Sequence, residues 1–269
     1  MKRHIFAVLF FVASPAFAKP SLFIDPASLF TDSSVEVKLA VASILSRAPK
    51  MDVSSLTLPE KPEEYAQFNT ELTDTIRRAN FDLSVVTAQR FIDIIKLHPS
   101  YVPMAEIAMK DKGEACTFGI SFIAKSNKKS VSGKIGMLSE DTLQSSITKL
   151  VTDTFPKSKI IQERMKPVLL RLLVDGAIDV IAIRSTPRPE GIMLHMFSGN
   201  MLGSKLHELR VLKTDFPCGV LIAKKSIQEP EKIANHIVSI FGEDSRLKIK
   251  LLPTSVTRRK RLLEIFRSK

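Results

Sequence analysis

Tryptophan is absent from the 269 residues and tyrosine occurs twice, a scarcity that bears first on nucleic acid. Proteins that hold single strands stack bases on aromatic rings along a basic groove. The basic residues here are dispersed rather than striped, so no nucleic-acid partner is expected despite a formal charge of +12. Metal-ligand spacing is also missing, since His4, His98, His195, His207 and His236 are scattered without close-spaced partners. Neither a nucleophile–base pair nor a phosphate-cradling glycine loop is present. The expectation is therefore a protein that is not an enzyme and carries no metal or other cofactor. Glycine and proline are not enriched, and no internal repeat or low-complexity tract interrupts the chain. Beyond the first residues no apolar run approaches membrane-spanning length.

Those first residues read as an export signal. Lys2, Arg3 and His4 form a basic start, residues 5–12 are apolar, Pro15 breaks the run, and Ala16-Phe17-Ala18 is a small-x-small cleavage pattern. Residues 1–18 are the expected signal peptide, cleaved after Ala18, and the mature chain begins at Lys19 in a bacterial periplasm. Removing Lys2 and Arg3 lowers the charge from +12 to +10. Such an excess draws a small anion, an acidic partner or an anionic surface, and also serves solubility. Cys116 and Cys218 enter an oxidising compartment, where a bridge and two buried thiols are both open. If they lie on neighbouring antiparallel strands, their register looks offset.

What is present is α/β patterning. Residues 173–185 close an apolar helix, turn at Gly176, and continue through Ile178-Asp179-Val180-Ile181-Ala182-Ile183 before stopping at Arg184-Ser185. Gly176 suits a left-handed helix end because it has no Cβ to clash. The β-branched run fits a strand buried on both faces. Residues 72–90 repeat the plan: a helical pattern to Ala79, the strand 81–86, and then Thr87-Ala88-Gln89-Arg90. Further strands are expected near 20–24, 51–58, 103–109, 116–124, 135–138, 159–162, 209–212 and 218–223. Further helices are expected near 35–45, 88–95, 143–150 and 231–241. The last helix, 258–266, should dock Leu262, Leu263 and Phe266 with its arginine face solvated. Ligands in open α/β sheets sit at the carboxyl ends of the strands.

The order of the stretches 80–91, 118–126, 132–138, 173–185 and 209–226 resembles the periplasmic solute-binding proteins of the two-lobed type II kind. The nearest group is the phosphate/phosphonate branch that serves ABC importers. The resemblance implies an α/β, two-lobed fold with a ligand cleft between the lobes, lobe 1 at 19–126 plus 216–269 and lobe 2 at 127–215. It implies capture of a small, anionic solute for delivery to a membrane permease. The alternative is an adaptor or receptor module presenting a solute to a membrane sensor. The matching ligand positions are Asp25 and Ser28 after the first strand, and Thr87 and Gln89 after Val86. In lobe 2 they are Ser139 and Thr142 at a helix start, and Arg184 and Ser185 after Ile183. Helix N-termini suit anions through their free N–H groups and dipole, and a guanidinium grips a phosphate-like group bidentately. Serine and threonine at such places also serve simply as caps. Where the phosphonate branch shows a Ser-x-Ser-Gly-like turn, this chain has Ser139-Glu140-Asp141-Thr142, whose carboxylates would repel a phosphonate from within the cleft.

Overall fold

Short-range pattern becomes structure most directly around residues 65–109. Helix α2 (Tyr65–Arg78) buries Leu72 and Ile76, spaced four apart on one face. It ends at Ala79, which takes the left-handed conformation at φ 45° and returns its N–H to Thr75 O. Strand β3 (Leu83–Thr87) runs without a loop into helix α3 (Ala88–Leu97), which buries Ala88, Phe91, Ile92, Ile94 and Ile95. The computed structural model describes residues 19–29, 34–59, 61–111, 113–125, 127–139, 144–185 and 206–267. Residues 1–18, expected as a signal peptide, and the position of Thr142 lie outside that set.

The remaining elements complete two sheets. Strands β1 (Ser21–Ile24), β2 (Asp52–Ser55), β4 (Tyr101–Met109), β10 (Gly219–Lys224) and β11 (Ile249–Pro253) join β3 in the order β11-β4-β10-β3-β1-β2. In this first sheet β1 runs parallel to β2 and β3, and the other pairings are antiparallel. Strands β5 (Thr117–Lys125), β6 (Lys134–Leu138), β7 (Lys159–Glu163), β8 (Val180–Ser185) and β9 (Leu206–Pro217) form the second, in the order β7-β6-β8-β5-β9. Helices α1 (Ser34–Arg47), α4 (Gln144–Thr154), α5 (Lys166–Val174), α6 (Pro230–Glu243) and α7 (Val256–Arg267) complete the described elements.

Alternation sorts the side chains of each strand to two faces. Leu22 and Ile24 enter one core with Leu83, Val85, Leu221 and Phe241, while Phe23 enters another with Val86, Phe91 and Val220. That second core continues into the other sheet through Phe118, Ile120 and Phe122 of β5 and Val180 and Ala182 of β8. On the far side of β8, Ile181 and Ile183 pack with Leu169, Leu173 and Ile178. The turn from α5 into β8 uses Gly176 at φ 77°, with Ala177 N–H donating to Leu172 O at 2.9 Å. A side chain at that φ would be strained, as the sequence reading anticipates.

The chain passes between the sheets twice, from β4 to β5 and from β9 to β10. A disulfide joins the two passages: Cys116 and Cys218 are bonded, with Cα atoms 5.4 Å apart. The Cys218 N–H also donates to Cys116 O at 2.8 Å, and Phe118 stacks on Phe216 at 5.3 Å. The question left open by the sequence is thus answered, because each cysteine stands at a passage between sheets rather than inside a ladder.

Three expectations are corrected. The boundary placed at 126 moves into the link between Met109 and Thr117, since β5 pairs with β8 and β9 and so belongs to the second sheet. Strand β8 does not stop before Arg184; pairing with β5 carries it through Ser185. The arginine face of α7 is solvated only in part, as Arg261 is exposed but Arg258 meets a buried partner. Arg258 Nε and an Nη atom hold the Glu106 carboxylate at 2.8 and 2.7 Å, and Glu106 is 5% exposed. Arg261 pairs with Asp215 on β9.

Candidate functional site

Two strand-end clusters flank the disulfide. In the antiparallel ladder Thr87 lies opposite Gly219, the residue after Cys218, and in the second sheet Ser185 lies opposite Gly119, shortly after Cys116. The carboxyl ends of β3 and β8 therefore both reach the edge where the chain crosses. Gly219 is required there: a Cβ would stand 2.6 Å from Val86 O and from Ile107 Cδ1.

In the first cluster β1 ends at Ile24 and the chain turns at Asp25 into a short 3₁₀ segment, Pro26–Leu29. The Asp25 N–H extends the ladder to Val85 O at 2.9 Å. Its own carbonyl accepts from Ser28 N–H at 2.9 Å and from Ser28 Oγ at 2.6 Å. The Ser28 hydroxyl thus serves the turn and is fully buried in it. Asp25 Oδ1 accepts from Ala27 N–H at 3.1 Å, while Oδ2 is buried with no hydrogen-bond partner. Thr87 caps α3, its hydroxyl accepting from Arg90 N–H at 3.4 Å, and Ala88 N–H donates to Cys218 O at 3.1 Å. Two of the first-turn amides of α3 are therefore used by the fold itself. Gln89, in the same turn, has a buried Oε1 without a partner.

Burial is the dominant influence on the Asp25 carboxyl and pushes its pKa above the ordinary aspartate value. The Ala27 amide, the Arg90 guanidinium, and the Thr87 amide and hydroxyl all act in the opposite sense and do not outweigh it. Arg90 is itself shared with Asp93 at 3.8 Å.

In the second cluster Ser139 follows β6, and its N–H continues the ladder to Glu163 O at 2.9 Å. Parallel pairing of Met137 with Ala182 puts Ser139 and Arg184 at the same sheet end. Arg184 is half-buried, its guanidinium carbon 5.4 Å from the centre of the Phe118 ring. The ring face attracts the cation and fixes its approach. Ser185 ends the strand beside it. The structure thus gathers Asp25, Ser28, Thr87 and Gln89 at one sheet end, and Ser139, Arg184 and Ser185 at the other. Sequence reasoning missed Phe118, placed only within an expected strand, Phe216, placed only at a strand break, and Arg90, which read only as a helix residue. Among the described residues no group of His, Cys, Asp or Glu could hold a metal ion.

No family model matches the chain, and no curated protein matches it. Solved structures do. XAC2383 of Xanthomonas citri, bound to ATP, is 11% identical with TM-score 0.58, over 92% of this chain and 96% of that one. PhnD1 of Prochlorococcus marinus, in complex with methylphosphonate, is 11% identical with TM-score 0.51, over 92% and 97%. The periplasmic aliphatic sulphonate binding protein SsuA of Escherichia coli is 11% identical with TM-score 0.52, over 92% and 77%. The chain has the type II fold of the periplasmic solute-binding proteins. In a solute-binding fold of this kind the two sheets are the cores of two lobes, and the strand ends described above are those that border the passages between them. No helix among the described residues is long and apolar enough to cross a membrane.

Proposed function

We propose that this protein is a periplasmic solute-binding protein. It closes its two lobes on a small, phosphate- or phosphonate-like anion and delivers the solute to an ABC-type permease. Lobe 1 comprises residues 19–109 and 219–267, and lobe 2 residues 117–217. The observation that carries the reading is the placement of Arg184 at the crossing edge of lobe 2, steered by Phe118, with the α3 N-terminus at the crossing edge of lobe 1. A guanidinium offers two parallel N–H donors to a phosphonyl or carboxyl group, and partial desolvation strengthens the contact. Asp25, Thr87 and Gln89 would meet the solute from lobe 1, and Ser139, Thr142, Arg184 and Ser185 from lobe 2. Ser28 shapes the turn that presents Asp25. Closure is a hinge motion, and the solute stabilises the closed state only through contacts that the open state lacks. The charge of +10 on the mature chain raises the local concentration of anions. Residues 1–18 would direct export and leave Lys19 as the N-terminus.

Native mass spectrometry of freshly purified mature protein tests this reading. A retained mass matching a small phosphonate, phosphate ester or related anion is expected, lost on Arg184→Ala. A retained cation or apolar molecule, or Met1 kept on the periplasmic protein, would end it.

A further inference from the structure

The end of the second sheet that lies away from the crossing edge is lined with lysines. Strand β8 reaches the crossing at Ser185. The starts of β6 and β7, which run parallel within that sheet, and the end of β5, antiparallel to β8, therefore lie at the opposite end. Lys134 and Lys159 begin β6 and β7 as ladder partners, and Lys125 closes β5. Residues 125–134 hold four lysines and no acidic residue, and Lys157 and Lys159 bring the set to six. The fold itself uses two of them. Lys125 Nζ donates to Val174 O at 2.5 Å, at the end of α5, and Lys128 Nζ meets Asp179 Oδ1 at 2.7 Å. The other Asp179 oxygen accepts from Lys134 N–H at 2.8 Å, and neighbouring Asp175 faces Arg171 at 3.6 Å. Asp153, in the last turn of α4, is a further acid near this end. Lys129, Lys134, Lys157 and Lys159 are exposed, and among the described residues none of the four is held in an ion pair.

We infer that this lysine end is a docking surface for an anionic bilayer, held there by lipid phosphate groups. Like charges gathered on one end repel each other, and an anionic surface relieves that repulsion. The residue type favours lipid over an acidic protein. A lysine ammonium is a compact, hydrated point charge on a flexible stem, so it answers a diffuse field without fixed geometry. A guanidinium instead grips one carboxylate with two parallel bonds. The arginines near this end are engaged within the chain, Arg171 by Asp175 and Arg210 by the Phe155 ring at 5.8 Å. Among the described residues no large apolar side chain stands exposed beside the six lysines. The apolar centre of a protein–protein interface is therefore missing, and the contact is electrostatic and reversible. Each lysine brought to an anionic membrane surface raises the partition roughly fivefold, and these contributions need no common register. Docking by this end turns the crossing edge, with Arg184, away from the bilayer. The inference goes beyond the solute-binding reading and holds or fails independently of it.

The test is co-sedimentation of the mature full-length chain with vesicles of mixed phosphatidylglycerol and phosphatidylcholine, and with vesicles of phosphatidylcholine alone. Binding is expected only to the mixed vesicles, and should vanish as salt rises from about 0.1 M to about 0.5 M. The variant carrying Lys129→Gln, Lys134→Gln, Lys157→Gln and Lys159→Gln should bind at least about a hundredfold more weakly. A matched variant at exposed lysines elsewhere, Lys38→Gln, Lys50→Gln, Lys96→Gln and Lys225→Gln, should lose less than about threefold. A second readout leaves the lysines intact. The chain has no tryptophan, so Ser130→Trp places a single reporter at this end, and Ser226→Trp places one after β10. Fluorescence of the first should shift to the blue on the mixed vesicles, and that of the second should not. Equal losses from the two lysine variants, or no shift for Ser130→Trp, would overturn the proposal, because net charge alone would then explain any binding. Binding to soluble polyglutamate with none to the mixed vesicles would overturn it in favour of an acidic protein partner.

Discussion

The two strand ends at the crossing edge are built differently. In lobe 1 the turn after β1 is sealed: Asp25 and Ser28 are fully buried, and backbone bonds tie them to Val85 and Ala27. The sheet beneath is covered on both faces by large cores. In lobe 2 the corresponding end carries a half-buried cation resting on an aromatic pair, and the core on the far face of β8 is small. Edge strand β7 has no fully buried residue, and β9 is buried only toward the crossing. A sealed end can discriminate by hydrogen bonds, because an unmatched buried acceptor is costly. A half-exposed guanidinium contributes charge and reach, with less demand on geometry. The first end is thus closed by hydrogen bonds, and the second leaves a half-exposed cation against an aromatic ring.

The contrast can be broken first at the link both lobes share. Cys116 and Cys218 are separated by 102 residues. A bridge closing a loop of that size stabilises by about 4–5 kcal/mol in the chain-entropy model. Thermal unfolding of the Cys116→Ser, Cys218→Ser double variant should show a loss of that order, and the same on reducing the wild type. An unchanged melting temperature would mean the two passages are held without the bridge.

The next effect tests whether α7 holds the lobe 1 side of the crossing. Arg258→Ala would leave Glu106 buried and unpaired, at a cost of about 3 kcal/mol in stability. Exposed Arg261 pairs with Asp215 outside the core, and Arg261→Ala should cost at most about 1 kcal/mol. Equal losses from the two variants, by chemical denaturation, would contradict the assignment of the buried pair.

Arg184→Ala addresses lobe 2 directly. Loss of a partly desolvated cation should weaken binding of methylphosphonate by about 2–3 kcal/mol, or tens- to over a hundredfold. Fold stability should change less, as Arg184 is only half-buried. Arg164, which is exposed before α5, provides the control and should leave affinity unchanged. Matched affinities for the two variants in calorimetry at one salt concentration would remove Arg184 from the site.

The smallest effect lies in the pH dependence of lobe 1. The folded pKa of Asp25 is raised by burial, so the native state keeps a proton that the unfolded chain releases near 3.8. The stability tied to that proton is present below 3.8 and is lost as pH rises through the folded pKa. Asp25→Asn does not titrate, so its stability relative to the wild type should grow across that window and then level. A constant difference would show that the carboxyl is not desolvated.

Sequence alone determined the local elements around the site. The helical spacing into α3, the β-branched run of β8 and the glycine turn after α5 all follow from neighbours within a few residues, and the structure keeps each within a residue or two. The residue types at the strand ends, including Asp25, Thr87 and Arg184, were legible for the same reason. Tertiary structure decided what each of them does. The Ser28 hydroxyl went to the turn, Asp25 lost its water, and Arg184 found Phe118 because strands distant in sequence were brought side by side. The same holds for the Cys116–Cys218 bridge, for β5 joining the second sheet, and for Arg258 meeting Glu106 across 152 residues. Periodicity is set by the backbone geometry of adjacent residues, whereas burial and pairing depend on the path of the whole chain.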